Sequence, residues 1–356
     1  MKQTWKNGLP SSPDYFPIGV WLQSPENASR YAAAGINLYV ALWQGPTEKQ
    51  LAALKAAKMR VVCEQNAVGL AHKDDPTIAA WMHGDEPDNA QAVTDPVTGK
   101  KGWGPCVPPQ KIVDDYKRLR AADPTRPILL NLGQGVANDA WKGRGAGAKL
   151  SDYETYVNGG DIVSFDVYPV ASGLPLGLVP KGVDRLIGWT GGKKSVWSCL
   201  ECTRIDGKTK ATPRQVCNET WRAIIHGACG LIYFVHQFQT KFNEHALLDD
   251  PEMLASVTAT NKQIQELAAV INSPKQKRTE SEGVEFLTVE HAGGLTIFAA
   301  ATGEKTVRVA VAKTGKVEVL GEGRMLKATN EGATGQALFY DTFAPEDVHL
   351  YWITPR

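Results

Sequence analysis

The chain has 356 residues, 43% of them hydrophobic, enough to bury the core of one large α/β domain and a small accessory domain without disulfide or metal staples. Its 39 basic and 38 acidic side chains leave a formal net charge of +1 with no long basic block, which excludes an electrostatic footprint for nucleic acid or an anionic membrane and favours neutral partners. No apolar run approaches the ~20 residues of a membrane helix.

The opening "MKQTWKNGLPSSPDYF" has no apolar h-region, so the chain is expected to be intracellular unless a leader has been removed from it, in which case it is extracellular or periplasmic. Then, from residue 17 to about 275, short β-rich apolar runs alternate with helical patterns. The runs are 17–23, 36–43, 59–66, 77–86, 127–133, 161–169, 194–203 and 230–238. Between them, "TEKQLAALKAAK" (47–58) carries Leu51 and Leu54 at helical spacing, and 108–124 and 212–228 read the same way. Near-continuous apolar strands alternating with helices indicate a parallel sheet covered on its outer face, and eight units favour closure into a (β/α)8 barrel. No GxGxxG follows the first run, which argues against a dinucleotide-binding sheet.

The eighth helix pattern, 251–274, ends at Pro274, and "KQKRTESEG" beyond it reads as a linker. The remaining runs alternate apolar and polar residues between glycine-bearing turns, as antiparallel strands with one wet face do. The expected division is therefore 1–275, a catalytic barrel, and 276–356, a small C-terminal antiparallel β-sandwich.

The six cysteines include one CxxC, Cys199 and Cys202, with no second pair and no histidine at zinc-finger spacing. They read as buried thiols rather than a metal site, with a disulfide through Cys106 open if the chain is secreted. No HxH, HExxH, GxSxG or P-loop occurs, and no cofactor is expected.

Barrel sites lie at the C-terminal ends of the strands, so the last residues of each run are the candidates for chemistry. Glu86 ends the fourth run in "WMHGDEPDNA", and Glu201 ends the seventh in "VWSCLECTR", between apolar neighbours where an ionised carboxylate is costly unless it has a task. Two carboxyl groups ~5–5.5 Å apart serve as proton donor and nucleophile in glycoside hydrolysis with retention. With these residues at the ends of runs four and seven, 17–275 resembles the clan A glycoside hydrolases, (β/α)8 barrels with the acid/base glutamate after strand four and the nucleophilic glutamate after strand seven. The resemblance implies Glu86 as acid/base, Glu201 as nucleophile and Tyr168, in "SFDVYP", as an aromatic hydroxyl near the nucleophile. Where many clan A members have Asn before the acid/base, this chain has Asp85. As a second negative charge Asp85 raises the pKa of Glu86, or is itself the acid with Glu86 structural, because Pro87 restricts Glu86 toward extended geometry and strand alternation turns only one of the two inward.

Aromatic residues extend the sugar-site reading, since indole faces stack on the apolar faces of sugar rings. Trp43, Trp103 in the Gly/Pro-rich loop 95–109, and Trp141 in "NDAWKGRGAG" stand near strand ends, while Trp21 and Trp197 either face the substrate or fill the barrel. Asn131, Asp166 and His236 are strand-end polar groups able to orient hydroxyls, as are Glu64, Asn66 and Gln134, and Asp166 shares strand parity with Tyr168. The expected activity is hydrolysis of O-glycosidic bonds in an oligo- or polysaccharide by double displacement. The alternatives are a carbohydrate-binding barrel without catalysis, and an inverting or other hydrolase working through Asp85 or Asp166.

Overall fold

The structure is a computed structural model that describes residues 5–303, 307–312, 316–327, 329–330 and 337–354. Eight parallel strands, β1 (Ile18–Trp21), β2 (Leu38–Val40), β3 (Arg60–Glu64), β4 (Ile78–Met82), β5 (Ile128–Leu132), β6 (Ile162–Asp166), β7 (Ser195–Glu201) and β8 (Leu231–Phe234), pair in sequential order. The barrel closes where Ile18 of β1 pairs with Leu231 of β8. Each of the eight apolar runs forms one strand. Helices α1 (Ala28–Ala33), α2 (Glu48–Ala56), α3 (Ala67–Ala71), α4 (Pro109–Ala122), α5 (Tyr153–Tyr156), α6 (Leu178–Thr190), α7 (Pro213–Ile225) and α8 (Pro251–Glu266) follow the strands one by one.

The local reasons are ordinary. Thr47 with Gln50, and Thr212 with Gln215, form capping boxes that start α2 and α7, and Pro213 and Pro251 occupy first helical positions where no N–H is needed. Strands β4 and β5 are buried at every position, as strands covered on both faces must be. Alternate residues face inward: Val40, Val62, Ala80, Leu129, Trp197 and Ile232 pack on the barrel axis, while their neighbours pack under the helices. Trp197 fills the barrel, and it fits because residue 230 is glycine, where a Cβ would come within 2.5 Å of the indole.

Beyond the barrel, β9 (Gln276–Ser281), β10 (Val284–His291), β11 (Gly294–Ala301), β12 (Val307–Ala312), β13 (Lys316–Val319), β14 (Arg324–Leu326), β15 (Thr329–Asn330), β16 (Ala337–Phe343) and β17 (Val348–Thr354) form two antiparallel sheets. One has the order β9-β10-β11-β17-β13-β14 and the other β12-β16-β15. Phe339 and Phe343 of the second sheet pack on Val284, Ile297 and Tyr351 of the first. The stretch read as a linker is β9, an edge strand exposed at every residue. Its charged side chains hide it in sequence, because an edge strand needs no apolar face and charge protects it from further pairing.

Candidate active site

Backbone strain marks the C-terminal mouth of the barrel. Among the described residues, nine non-glycine residues have positive φ, and five of them, Leu22, Ala41, Gln44, Glu86 and Arg144, ring this mouth. Such conformations cost about 1–3 kcal/mol each and gather where function requires them. Glu86, at φ 42°, is in the left-handed region rather than the extended one expected before Pro87. Its N–H donates to the Asn131 carbonyl of β5 (3.1 Å) and its carbonyl accepts from Asn89 N–H (3.1 Å), so a turn held at both ends overrides the proline's preference.

Because β4 stops at Met82, strand alternation no longer governs Asp85 and Glu86, and both carboxyls reach the mouth. Asn131 Nδ2 donates to Asp85 (2.9 Å), and Asn131 Oδ1 accepts from Ser164 of β6 (2.7 Å), a buried chain across three strands. Asp166, at the end of β6, faces the charges of Glu86 and Asp85, and its buried Oδ1 has no hydrogen-bond partner among the described residues. Glu86 also forms an ion pair with Arg144. Burial, then the charges of Glu86 and Asp85, push the Asp166 carboxyl well above the usual carboxylate range. Asp85 is exposed on its cleft side, yet the protein packed about it, then the charges of Glu86 and Asp88, push its carboxyl up to about 7 against the Asn131 hydrogen bond. Three carboxyls thus crowd the mouth, and among the described residues Arg144 pairs with Glu86 alone of them.

Two loops fix this geometry. Asp88 is buried, accepts from Gly133 N–H (2.8 Å) and the Tyr153 hydroxyl (2.7 Å), and so ties the turn after β4 to the loop after β5. The Trp141 indole N–H donates to Asn89 (2.7 Å), and Ala90 N–H to the Gly143 carbonyl (2.8 Å). These bonds carry Arg144 over Glu86. Trp103 lies in a hairpin (Ala92–Thr94 with Lys101–Trp103) whose indole faces the Arg144 guanidinium at 5.3 Å. Trp141 therefore anchors a loop, whereas Trp103, 57% exposed, caps the cation. Arg144, Asp88, Ser164 and Tyr153 were missed in the sequence. Only Arg144 carries a signal there, a cation between two glycines in the segment after a barrel strand.

A cleft of about 770 Å³ opens beside Asp85, lined by Trp21, Trp43, Glu64, Asn66 and His83 among others. Aromatic residues also gather at this end of the barrel: Tyr168, two residues beyond Asp166, packs on Phe234 (5.1 Å), and His236 stacks with Phe238 and Phe242, which are 51% and 58% exposed. His236 is buried, and its Nε2 meets Gln23 (3.3 Å). Asn66 caps α3, and Gln134 accepts from Asn138 (3.1 Å). A smaller cavity of about 250 Å³ lies at the opposite, N-terminal end, lined by Trp5, Tyr15 and Lys194, away from these carboxyls and from the face where barrel sites occur.

Glu201 occupies different surroundings. It has no exposure, and its two oxygens accept from the backbone N–H groups of Val170 (2.6 Å) and Ala171 (2.9 Å) in the loop after β6. Burial outweighs those two bonds and pushes its carboxyl up to about 7. Among the described residues no hydrogen bond or ion pair links it to Glu86, Asp85 or Asp166. All six cysteines are free, no group of three potential metal ligands is found among the described residues, and none of their helices is long and apolar enough to cross a membrane.

No family model and no curated protein matches the chain. Among solved structures it is similar to the α-amylase of Geobacillus thermoleovorans complexed with acarbose, at 11% identity and a TM-score of 0.55 over 100% of both chains. It is also similar to an α-amylase from Lactobacillus plantarum (12% identity, TM-score 0.54, 96% of this chain and 99% of that one). An Anoxybacillus α-amylase gives 10% identity and a TM-score of 0.52, covering 98% and 99%. At such identities the likeness is one of fold, a (β/α)8 barrel followed by a C-terminal β-domain.

Proposed function

We propose that the protein hydrolyses O-glycosidic bonds of an oligo- or polysaccharide, with Asp85, Glu86 and Asp166 as its working carboxyls. The observation that carries this reading is the crowding of carboxyls at the barrel mouth: burial and the charges of Glu86 and Asp85 push Asp166 well above the usual range, and Asp85 opens on the cleft beside them. That the α-amylases of the same fold act on carbohydrate, as the acarbose complex indicates, supports it. So do the indoles of Trp21 and Trp43 in the lining of the cleft, whose faces suit the apolar faces of a sugar ring.

Asp166 faces the charge of Glu86, and the two carboxyls together supply the proton to the departing glycosidic oxygen. Asp85, poised near 7, takes the proton of the attacking water, since a base works best with its pKa near the operating pH. Direct attack by water inverts the anomeric centre. Arg144 must leave Glu86 as substrate enters, and Trp103 moves with it.

A second reading, retention through Glu201 with Glu86 as acid/base, draws on the position of Glu201 at the end of β7 and on its raised pKa. It requires the Val170–Ala171 backbone to release both oxygens. The test is the product anomer by NMR together with three variants. Glu86→Gln and Asp166→Asn are each expected to cut kcat by about 10²–10⁴-fold, while Glu201→Gln stays within tenfold and the product is inverted. A retained product with inactive Glu201→Gln establishes the second reading, and full activity of Glu86→Gln defeats both. A parent protein that binds oligosaccharides without turning them over is a carbohydrate-binding barrel.

A further inference from the structure

The loop after β2 is bent by two left-handed residues, Ala41 (φ 63°) and Gln44 (φ 52°), and faces a third, Leu22 (φ 48°), after β1. Leu22 N–H donates to Val40 (2.7 Å), Ala41 N–H to Val62 (2.9 Å), and the Gln50 side chain to the Trp43 carbonyl (3.0 Å), so the bend is held from three sides. Its result is an indole that stands 69% exposed. Trp43 has no ring or cation partner among the described residues, unlike Trp103, so no such contact among them accounts for its exposure.

Trp43 and Leu22 line two spaces at once. One is the cleft that Asp85 borders, and the other is a separate cavity of about 300 Å³ whose polar groups are Gln23, Ser24, Glu26, Lys49, Gln50 and Glu244. That volume is at the lower end for small-ligand pockets. We propose that this second cavity is a distal subsite for one sugar unit and that Trp43 is the platform over which the chain crosses from it into the cleft. The substrate is then a neutral oligosaccharide long enough to span both spaces. Stacking suits the apolar face of a pyranose, and two carboxylates (Glu26, Glu244) against one lysine (Lys49) disfavour an anionic uronate there.

The inference rests on the glycosidase reading for its substrate class and is tested apart from it. kcat/KM and, by titration calorimetry, Kd are measured for neutral oligosaccharides of increasing length with the parent, Trp43→Ala, Trp43→Phe and Ala53→Phe, the last filling the cavity from α2. The expected result is a preference for longer chains that falls about tenfold in Trp43→Ala and Ala53→Phe, with the shortest substrates unaffected in Ala53→Phe and Trp43→Phe restoring most of the preference. Unchanged melting temperatures confirm folding. Equal effects at all lengths, or none, overturn the subsite. Binding that depends on length and on Trp43 without any turnover keeps the subsite and removes the hydrolase reading, and absence of both binding and turnover removes both.

Discussion

The seam between α7 and the sandwich holds enclosed carboxylates much as the barrel mouth does, yet the two clusters titrate in opposite directions. At the seam Arg222 grips Glu285 through two bonds of 2.9 Å, and His226 lies 3.2 Å from Glu285 and 2.9 Å from Asp184. Burial alone would raise Glu285, but hydrogen bonds from Arg222 and His226 prevail and hold it at about 2. At the mouth, among the described residues, Arg144 pairs with Glu86 and no cation pairs with Asp85 or Asp166, and burial prevails at those two. What separates the two clusters is the number of cations that meet each carboxylate.

Three experiments would break or sharpen that contrast. Arg222→Ala leaves Glu285 buried without its main partner and is expected to cost roughly 3–5 kcal/mol in urea unfolding, with activity per folded molecule unchanged. A melting curve like the parent's would show that the seam does not depend on its ion pairs.

The second concerns pH. Glu285 has its folded pKa depressed from 4.5 to about 2, so the unfolded chain binds more protons between these values, and the stabilisation present above 4.5 is lost as pH falls toward 2. Asp85 is raised from 3.8 to about 7, so the folded chain binds more protons in that window, and stability declines as pH rises through it. Melting temperature against pH should therefore climb and then sag, and Asp85→Asn should lessen the sag, to which Glu201, raised to about 7, also contributes, while leaving the climb in place. Asp85→Asn also removes the base, so the rate should fall by about 10²–10⁴-fold, and because it takes away a charge that raises Asp166, the basic limb of the residual rate profile should move to lower pH. A limb that stays in place would mean that Asp166 does not hold the working proton.

The smallest effect belongs to Trp103→Ala. The residue is exposed and faces only Arg144 among ring and cation contacts, so stability should change by less than about 1 kcal/mol while KM for the oligosaccharide rises a few-fold. A large loss of stability with unchanged KM would make the hairpin structural.

The sequence made the barrel legible because each strand, covered on both faces, leaves an unbroken apolar run, and Asp166 and Tyr168 stood out by their common parity. It concealed β9, whose charged side chains carry no apolar face, and the hairpin that bears Trp103, which lies inside a Gly/Pro-rich loop. Glu86 and Asp85 could be placed at a strand end but not oriented, since their directions follow from a turn fixed by Asn131 and Asn89, remote or polar partners with no periodic trace. Glu201 shows the converse: its position at the end of β7 is visible in sequence, and the Val170 and Ala171 N–H groups that occupy it are not.

Trp221 of α7 stacks on Phe298 of β11 (5.3 Å, 16°), Asn218 donates to the Ala301 carbonyl (2.9 Å), and Leu287, Phe298 and Leu350 belong to the same apolar core as the barrel's outer layer. The sandwich is therefore a piece of the barrel's wall and no detachable appendage. Severing the chain before Gln276 would uncover that apolar seam and leave a sticky, destabilised barrel, and grafting the sandwich onto another protein would carry half an interface with it. Calorimetry should accordingly record one cooperative transition for the whole chain, because the apolar layer that joins the two parts is shared between them.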